Sequence, residues 1–187
     1  MLDVWRGSRP GLSSLDAALK KYGKAAQWTA ALQVFRDASR LGAKENPGRV
    51  VTTIMALGKG RQWQLALSLL REMSEAKVQA TVISYSAGIT ACERSKQWQQ
   101  ALALLGDMLA STLDPDVIAY SAGISACEKG EQWQRALCLF SEMWQAILEP
   151  RVISYSAGIS ACEKGKQWQQ ALALLSDMLA SRLEPDP

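Results

Sequence analysis

Histidine is absent from all 187 residues. Its absence removes the commonest general base, the imidazole metal ligand and every triad built on histidine, so no enzymatic activity is expected. Also missing is any apolar run approaching the ~20 residues that a membrane-spanning helix needs. Each Leu/Ala-rich stretch is cut by Gln, Asp, Glu or Lys, and no membrane partner is expected. The four cysteines include no C-x-x-C pair, which is the wrong spacing for zinc; neither a metal nor a cofactor is expected. The opening segment MLDVWRGSRPGL lacks the apolar core of a signal peptide, and no targeting segment is visible. An excess of one charge sign is lacking too: 21 Lys and Arg face 18 Asp and Glu, for a net +3. That balance permits a polyanionic partner without demanding one.

What the sequence does contain is repetition. Trp28, Trp63, Trp98, Trp133 and Trp168 are each 35 residues apart, and Tyr85, Tyr120 and Tyr155 and then Cys92, Cys127 and Cys162 keep the same step. Five units follow, at 12–46, 47–81, 82–116, 117–151 and 152–186, after an amino-terminal extension of residues 1–11. Units 3 and 5 agree at 29 of 35 positions, whereas units 1 and 2 keep mainly the Trp, the basic residue before it and the apolar pattern that follows.

Each unit reads as two helices. In unit 5 the first is expected from Val152 to Lys164, with Tyr155, Ile159 and Cys162 at i, i+4 and i+7 on one apolar stripe. Gly165, like Gly130 in unit 4, supplies a stop after a Lys that suits the negative helix end. The second helix starts near Gln167, places Trp168, Ala171, Leu172, Leu175, Met178 and Leu179 on one face, and ends before LEPD, whose proline cannot continue it. A lone hairpin cannot bury both stripes, so units must stack. The expected fold is all-α, a right-handed α-solenoid of five 35-residue helical hairpins. Gly88, Gly123 and Gly158 fall inside first helices at a cost of about 1 kcal/mol each against alanine; close helix approach and recent duplication both account for them.

A unit such as VIAYSAGISACEKGEQWQRALCLFSEMWQAILEPR resembles the pentatricopeptide repeat, with V-x-x-Y at its start, Cys and Lys late in the first helix, A-L-x-L-[FL]-x-x-M along the second and, in its sister units, a terminal P-D. The Q-W-Q-x-A-L variant is similar to repeats of algal members. The tetratricopeptide repeat has period 34 and other signature positions. The resemblance implies a modular protein that binds single-stranded RNA in a sequence-specific way, roughly one base per repeat, in RNA processing or stability inside a mitochondrion or chloroplast.

It also implies site residues. The fifth and last residues of a repeat would read the base edge and the second would pack on the base. These are Ser86, Asp116 and Ile83 in unit 3, Ser121, Arg151 and Ile118 in unit 4, and Ser156, Asp186 and Ile153 in unit 5. Ser with a terminal Asp is similar to the family's guanine-preferring pair; Arg151 departs from it. Asp16 with Asn46 and Val51 with Thr81, in units 1 and 2, are atypical.

Independently of the family, the thirteenth residue of every unit is basic: Lys24, Lys59, Arg94, Lys129 and Lys164. Stacked helices about 8–10 Å apart would align them as a ladder able to track phosphates. Structural readings stand beside these. A basic residue suits the last turn of a helix, and Asp116 suits the N-cap of the next one. The tryptophans are expected in the core rather than stacked on bases, with Trp144 covering the end of its helix and Trp5 outside the pattern. The cysteines, Cys138 included, are expected as reduced thiols, since equivalent positions in adjacent units lie beyond disulfide reach. Unit 5 is as apolar as its predecessors, so a longer array or contact with another copy is expected there. A helical-repeat scaffold for a protein partner is the alternative function.

Overall fold

The computed structural model describes residues 12–40, 46–75 and 80–181. They form ten helices of 13 residues each: α1 (Leu12–Lys24), α2 (Trp28–Arg40), α3 (Pro47–Lys59), α4 (Trp63–Glu75), α5 (Val82–Arg94), α6 (Trp98–Ala110), α7 (Val117–Lys129), α8 (Trp133–Gln145), α9 (Val152–Lys164) and α10 (Trp168–Ala180). The odd-numbered helices are called A and the even-numbered B. Short polar side chains start α3, α5 and α7, while Arg151 stands at that place before α9. Asn46 Oδ1 accepts from the Gly48 amide at 2.9 Å, ahead of Pro47 at the first helical position, and Asp116 Oδ1 accepts from the Ala119 amide at 2.8 Å.

The turn between A and B is built the same way in each unit. Glu131 and Lys166 take left-handed backbone at φ 58° and 56°, while Gly130 and Gly165 before them have ordinary φ of −90° and −78°. These glycines therefore do not supply the helix stop by their backbone freedom, contrary to the expectation from sequence. Their reason is proximity: a Cβ on Gly130 would overlap the Trp98 ring, and one on Gly165 the Trp133 ring. Each of these tryptophans lies on the turn of the following unit. In units 2 to 5 the Gln before the B-helix Trp braces the turn, its amide donating to the carbonyl two residues back, as Gln132 does to Gly130 at 3.2 Å and Gln167 to Gly165 at 3.1 Å.

A helices stack on one another in one layer, and each of the first four B helices fits between its own A helix and the next one; no two described B helices approach as closely as the A helices do. The layer whose members approach more closely is the shorter, so the A-helix side is concave. The chain is thus an α-solenoid of helical hairpins. Inside unit 3, Ala101, Leu104, Leu105 and Met108 are buried, while Leu109 is exposed. The expected B-helix stripe is corrected accordingly: in unit 5, Leu174 and Met178 are buried, and Leu172 and Leu179 are not. The i, i+3, i+4, i+7 stripe that meets the A helices runs through the fourth residue of the B helix, not through the fifth and twelfth.

The helical glycines also find their reason in packing. A Cβ on Gly123 would stand 2.7 Å from Leu105 Cδ1 of the preceding unit and 3.2 Å from Leu139 Cδ1 of its own. Close approach of an A helix to two B helices explains the residue. Cys92, Cys127 and Cys162 are buried and free, and Cys138 is exposed. Burial pushes the Cys92 thiol up to about 12 and Cys127 up to about 11, the latter opposed in part by Arg135.

Candidate functional site

The second residues of three A helices emerge on the concave layer. Ile83 is 65% exposed, Ile118 51% and Ile153 62%, an unusual exposure for three isoleucines in register. Burying such residues is favourable by ~25 cal/mol per Å² of apolar surface, so their exposure marks a face that the fold itself does not use. Met55, the ninth residue of α3, is exposed as well. Between Ile83 and Ile118 lies a cleft of about 160 Å³, lined also by Met55, Ser86, Arg94 and Asp116.

At this cleft the structure brings together the two residues that the sequence pairs in unit 3. Ser86 is buried, and its hydroxyl is shared between the Val82 carbonyl at 2.8 Å and Asp116 Oδ1 at 3.0 Å. The same Oδ1 caps α7 through the Ala119 amide. Asp116 thus caps α7 and at the same time holds the Ser86 hydroxyl at the cleft.

Units 4 and 5 differ. Ser121 is buried, but its hydroxyl meets Ser154 Oγ at 2.7 Å and the Val117 carbonyl at 2.6 Å; Ser154 Oγ in turn accepts from the Arg151 amide at 3.3 Å. Arg151 itself is exposed and lines a wide cleft of about 800 Å³ at the loop edge with Asp116, Trp144 and Ser181. Ser121 and Arg151 are thus not joined by a hydrogen bond as Ser86 and Asp116 are. Ser156 is exposed, and Asp186 lies outside the described residues. In unit 1, Asp16 pairs not with Asn46 but with Arg49, through Nε at 2.5 Å and Nη2 at 3.3 Å. That hydrogen-bonded guanidinium holds the Asp16 carboxyl below the usual carboxylate range, against a smaller opposing effect of burial.

The thirteenth-position cations do recur along the ends of the A helices, but they are not equally free. Lys59 Nζ donates to the Gly23 carbonyl at 2.9 Å, at the end of α1, and no carboxylate among the described residues pairs with it. Lys129 is ion-paired to Glu93, and Lys164 to Glu128, each glutamate being the twelfth residue of the preceding unit. Lys24 and Arg94 are exposed and have no ion pair among the described residues. These staples between successive units were missed from sequence. The signal was there: Glu at position 12 and Lys at position 13 recur 36 residues apart.

The tryptophans of interior units are half-buried against the core, whereas Trp168 is 64% exposed. Trp144, the penultimate residue of α8, is 46% exposed at the loop edge. Among the described residues no group of His, Cys, Asp and Glu is arranged to hold a metal ion, and no helix is long and apolar enough to cross a membrane.

Two family models match the sequence: the Pentatricopeptide repeat domain over residues 68–132 and 103–165, and the PPR repeat over residues 52–78 and 153–183. No curated protein matches it. Among solved structures, the PPR domain of Arabidopsis thaliana protein-only RNase P 1, in complex with tRNA, is similar with a TM-score of 0.78 at 13% identity, over 93% of this chain and 92% of that one. The pentatricopeptide repeat protein PPR10 from maize gives 0.73 at 19% identity, over 97% of this chain. PPR10 in complex with an 18-nt psaJ RNA element gives 0.78 at 20%, over 94% of this chain. In both cases this chain spans 26% of PPR10. At such identities the likeness is one of fold, and the repeat signatures carry the relationship. Since the matched segments run without a break from residue 52 to residue 183, the chain belongs to the pentatricopeptide repeat family.

Proposed function

We propose that this chain binds single-stranded RNA along its A-helix face, at roughly one base per unit, and acts in RNA processing or stability in a mitochondrion or chloroplast. The observation that carries the reading is the cleft between Ile83 and Ile118, with Ser86 and Asp116 already paired at its floor. Two exposed aliphatic side chains offer flat apolar contact to a base inserted between them, and the polar pair offers a hydroxyl and a carboxylate oxygen to its edge. A carboxylate accepts only, so it favours bases that present N–H groups there, as guanine does with its ring and exocyclic nitrogens. Solved relatives in complex with tRNA and with an RNA element support the class of ligand.

Unit 3 is the principal reader in this proposal, with Ser156 and Asp186 equivalent in unit 5 and Ser121 with Arg151 an altered pair in unit 4. Ile153 serves as the packing residue of unit 5. Phosphate contact falls mainly to Lys24, Lys59 and Arg94, whose charges no carboxylate among the described residues neutralises; Lys129 and Lys164 contribute less because Glu93 and Glu128 hold them. A protein partner is the second reading, favoured by Trp144 and by Ile147, which is 90% exposed.

Fluorescence anisotropy with short labelled single-stranded RNAs tests the proposal. A guanine-rich strand is expected to bind better than strands rich in A, C or U, with affinity falling as salt rises, and Ser86→Asn is expected to shift the preference. Equal binding of all strands, or no binding, overturns base recognition and favours the protein partner.

A further inference from the structure

Beside the 36-residue staples of the thirteenth-position lysines, two side-chain pairs across successive A helices share a second register. The fifth residue of one unit faces the third residue of the next, 33 positions later: Asp16 meets Arg49, and Ser121 meets Ser154. In unit 3 the equivalent partner of Ser86 is Ala119, whose side chain offers no polar atom, and whose backbone amide instead orients Asp116. From this register we infer that the third residue of each following unit is a specificity-determining residue for the base read by the unit before it. The inference rests on the RNA-binding reading above.

What the third residue does is set which hydrogen-bonding capacity the fifth residue has left. Arg49 occupies both carboxylate oxygens of Asp16, so unit 1 presents a neutralised pair to the concave face. In unit 4 the bonds form a chain: the Arg151 amide donates to Ser154, Ser154 to Ser121, and Ser121 to the Val117 carbonyl. The Ser121 hydroxyl hydrogen is spent and one of its lone pairs is filled. Beside Ala119, the Ser86 hydroxyl hydrogen divides between Val82 and Asp116, and no described group donates to its oxygen. Unit 3 therefore keeps both lone pairs of its hydroxyl beside a capped carboxylate, whereas unit 4, with the same fifth residue, keeps one and has Arg151 in the carboxylate's place. A fifth-residue serine is one reader before alanine and another before serine.

Exchange of these third residues is structurally mild, because each already occurs at the equivalent place: Ser84 and Ser154 are fully buried there, as is Ala119. Ala119→Ser places a hydroxyl beside Ser86. In anisotropy titrations with uridine strands carrying a central GG or AA, it is expected to lower the GG-over-AA affinity ratio about fivefold, the effect of one hydrogen bond, with the thermal midpoint little changed. The converse is built on Arg151→Asp, which restores the terminal Asp of unit 3 to unit 4. Adding Ser154→Ala to that variant is expected to raise the ratio about fivefold. If Ser86→Asn moves the ratio but neither third-residue exchange does, the third position has no part in recognition and the inference fails alone. If Ser86→Asn also leaves the ratio unmoved, or no strand binds, base reading fails and the inference falls with it.

Discussion

Units 3 and 5 are nearly the same sentence of sequence, yet they live in different surroundings. Ser86 is buried and Ser156 exposed; Ala87, Ile89, Ala101 and Leu105 are buried where Ala157, Ile159, Ala171 and Leu175 are only half-covered; Trp98 packs on the turn at Gly130, and Trp168 stands in the open. The six differing positions do not account for this. What differs is that unit 3 has α7 against it, and no described residue covers α10 on the same side. Burial in a solenoid is a property of the interface between units, so a side chain's environment is read from its neighbour as much as from its own unit.

The sharpest way to break this comparison is to delete the same side chain twice. Leu105→Ala removes a buried residue that packs on Gly123 of the next unit, and is expected to cost about 3 kcal/mol, within the usual range for buried leucine. Leu175→Ala, half-exposed, is expected to cost only about 1 kcal/mol by the same reasoning. Urea denaturation of the two variants measures the gap, and equal losses would show that the unit's own packing dominates.

Helical glycines sharpen it further, with smaller effects of opposite sign. A methyl at Gly158 meets nothing closer than 3.0 Å, at Leu174 Cδ1, and Phe140 lies at 3.8 Å. Gly158→Ala is therefore expected to stabilise by roughly 0.5 kcal/mol through helix propensity. Gly123→Ala pushes on Leu105 from the preceding unit and on Leu139, and is expected to destabilise by about 1 kcal/mol as an overpacked site does. Thermal unfolding of both proteins gives the signs; a gain in both would mean that the glycines are inherited rather than required.

The period, the hairpin and most helix ends were legible in the sequence because they depend on local signals: capping by Asp116, the turn after Lys129 and Lys164, and the proline in LEPD. The phase of the B-helix stripe was not. A-L-A-L-L offers leucine at adjacent positions, and which of them meets the core is decided by how the B helix lies between two A helices. The site divides along the same line. The pairing of Ser86 with Asp116 lies within one unit and is what the family resemblance implies, whereas the pairing of Ser121 with Ser154, and of Lys129 with Glu93, crosses between units. Such contacts need the stacking register, which a single unit does not contain. The roles of Gly130 and Gly165 were misread for the same reason, since the ring that each makes room for belongs to the preceding unit.

The central claim is that the exposed isoleucine face binds single-stranded RNA. It is tested most directly by anisotropy of a labelled guanine-containing strand against the native chain and an Ile83→Glu, Ile118→Glu variant, with helicity checked by circular dichroism. Both residues are surface-exposed, so the fold is expected to survive while two carboxylates occupy the base cleft. Binding by the native chain with at least a tenfold loss in a folded variant is the expected result. Equal binding by the two proteins would contradict the claim and place the RNA elsewhere on the molecule.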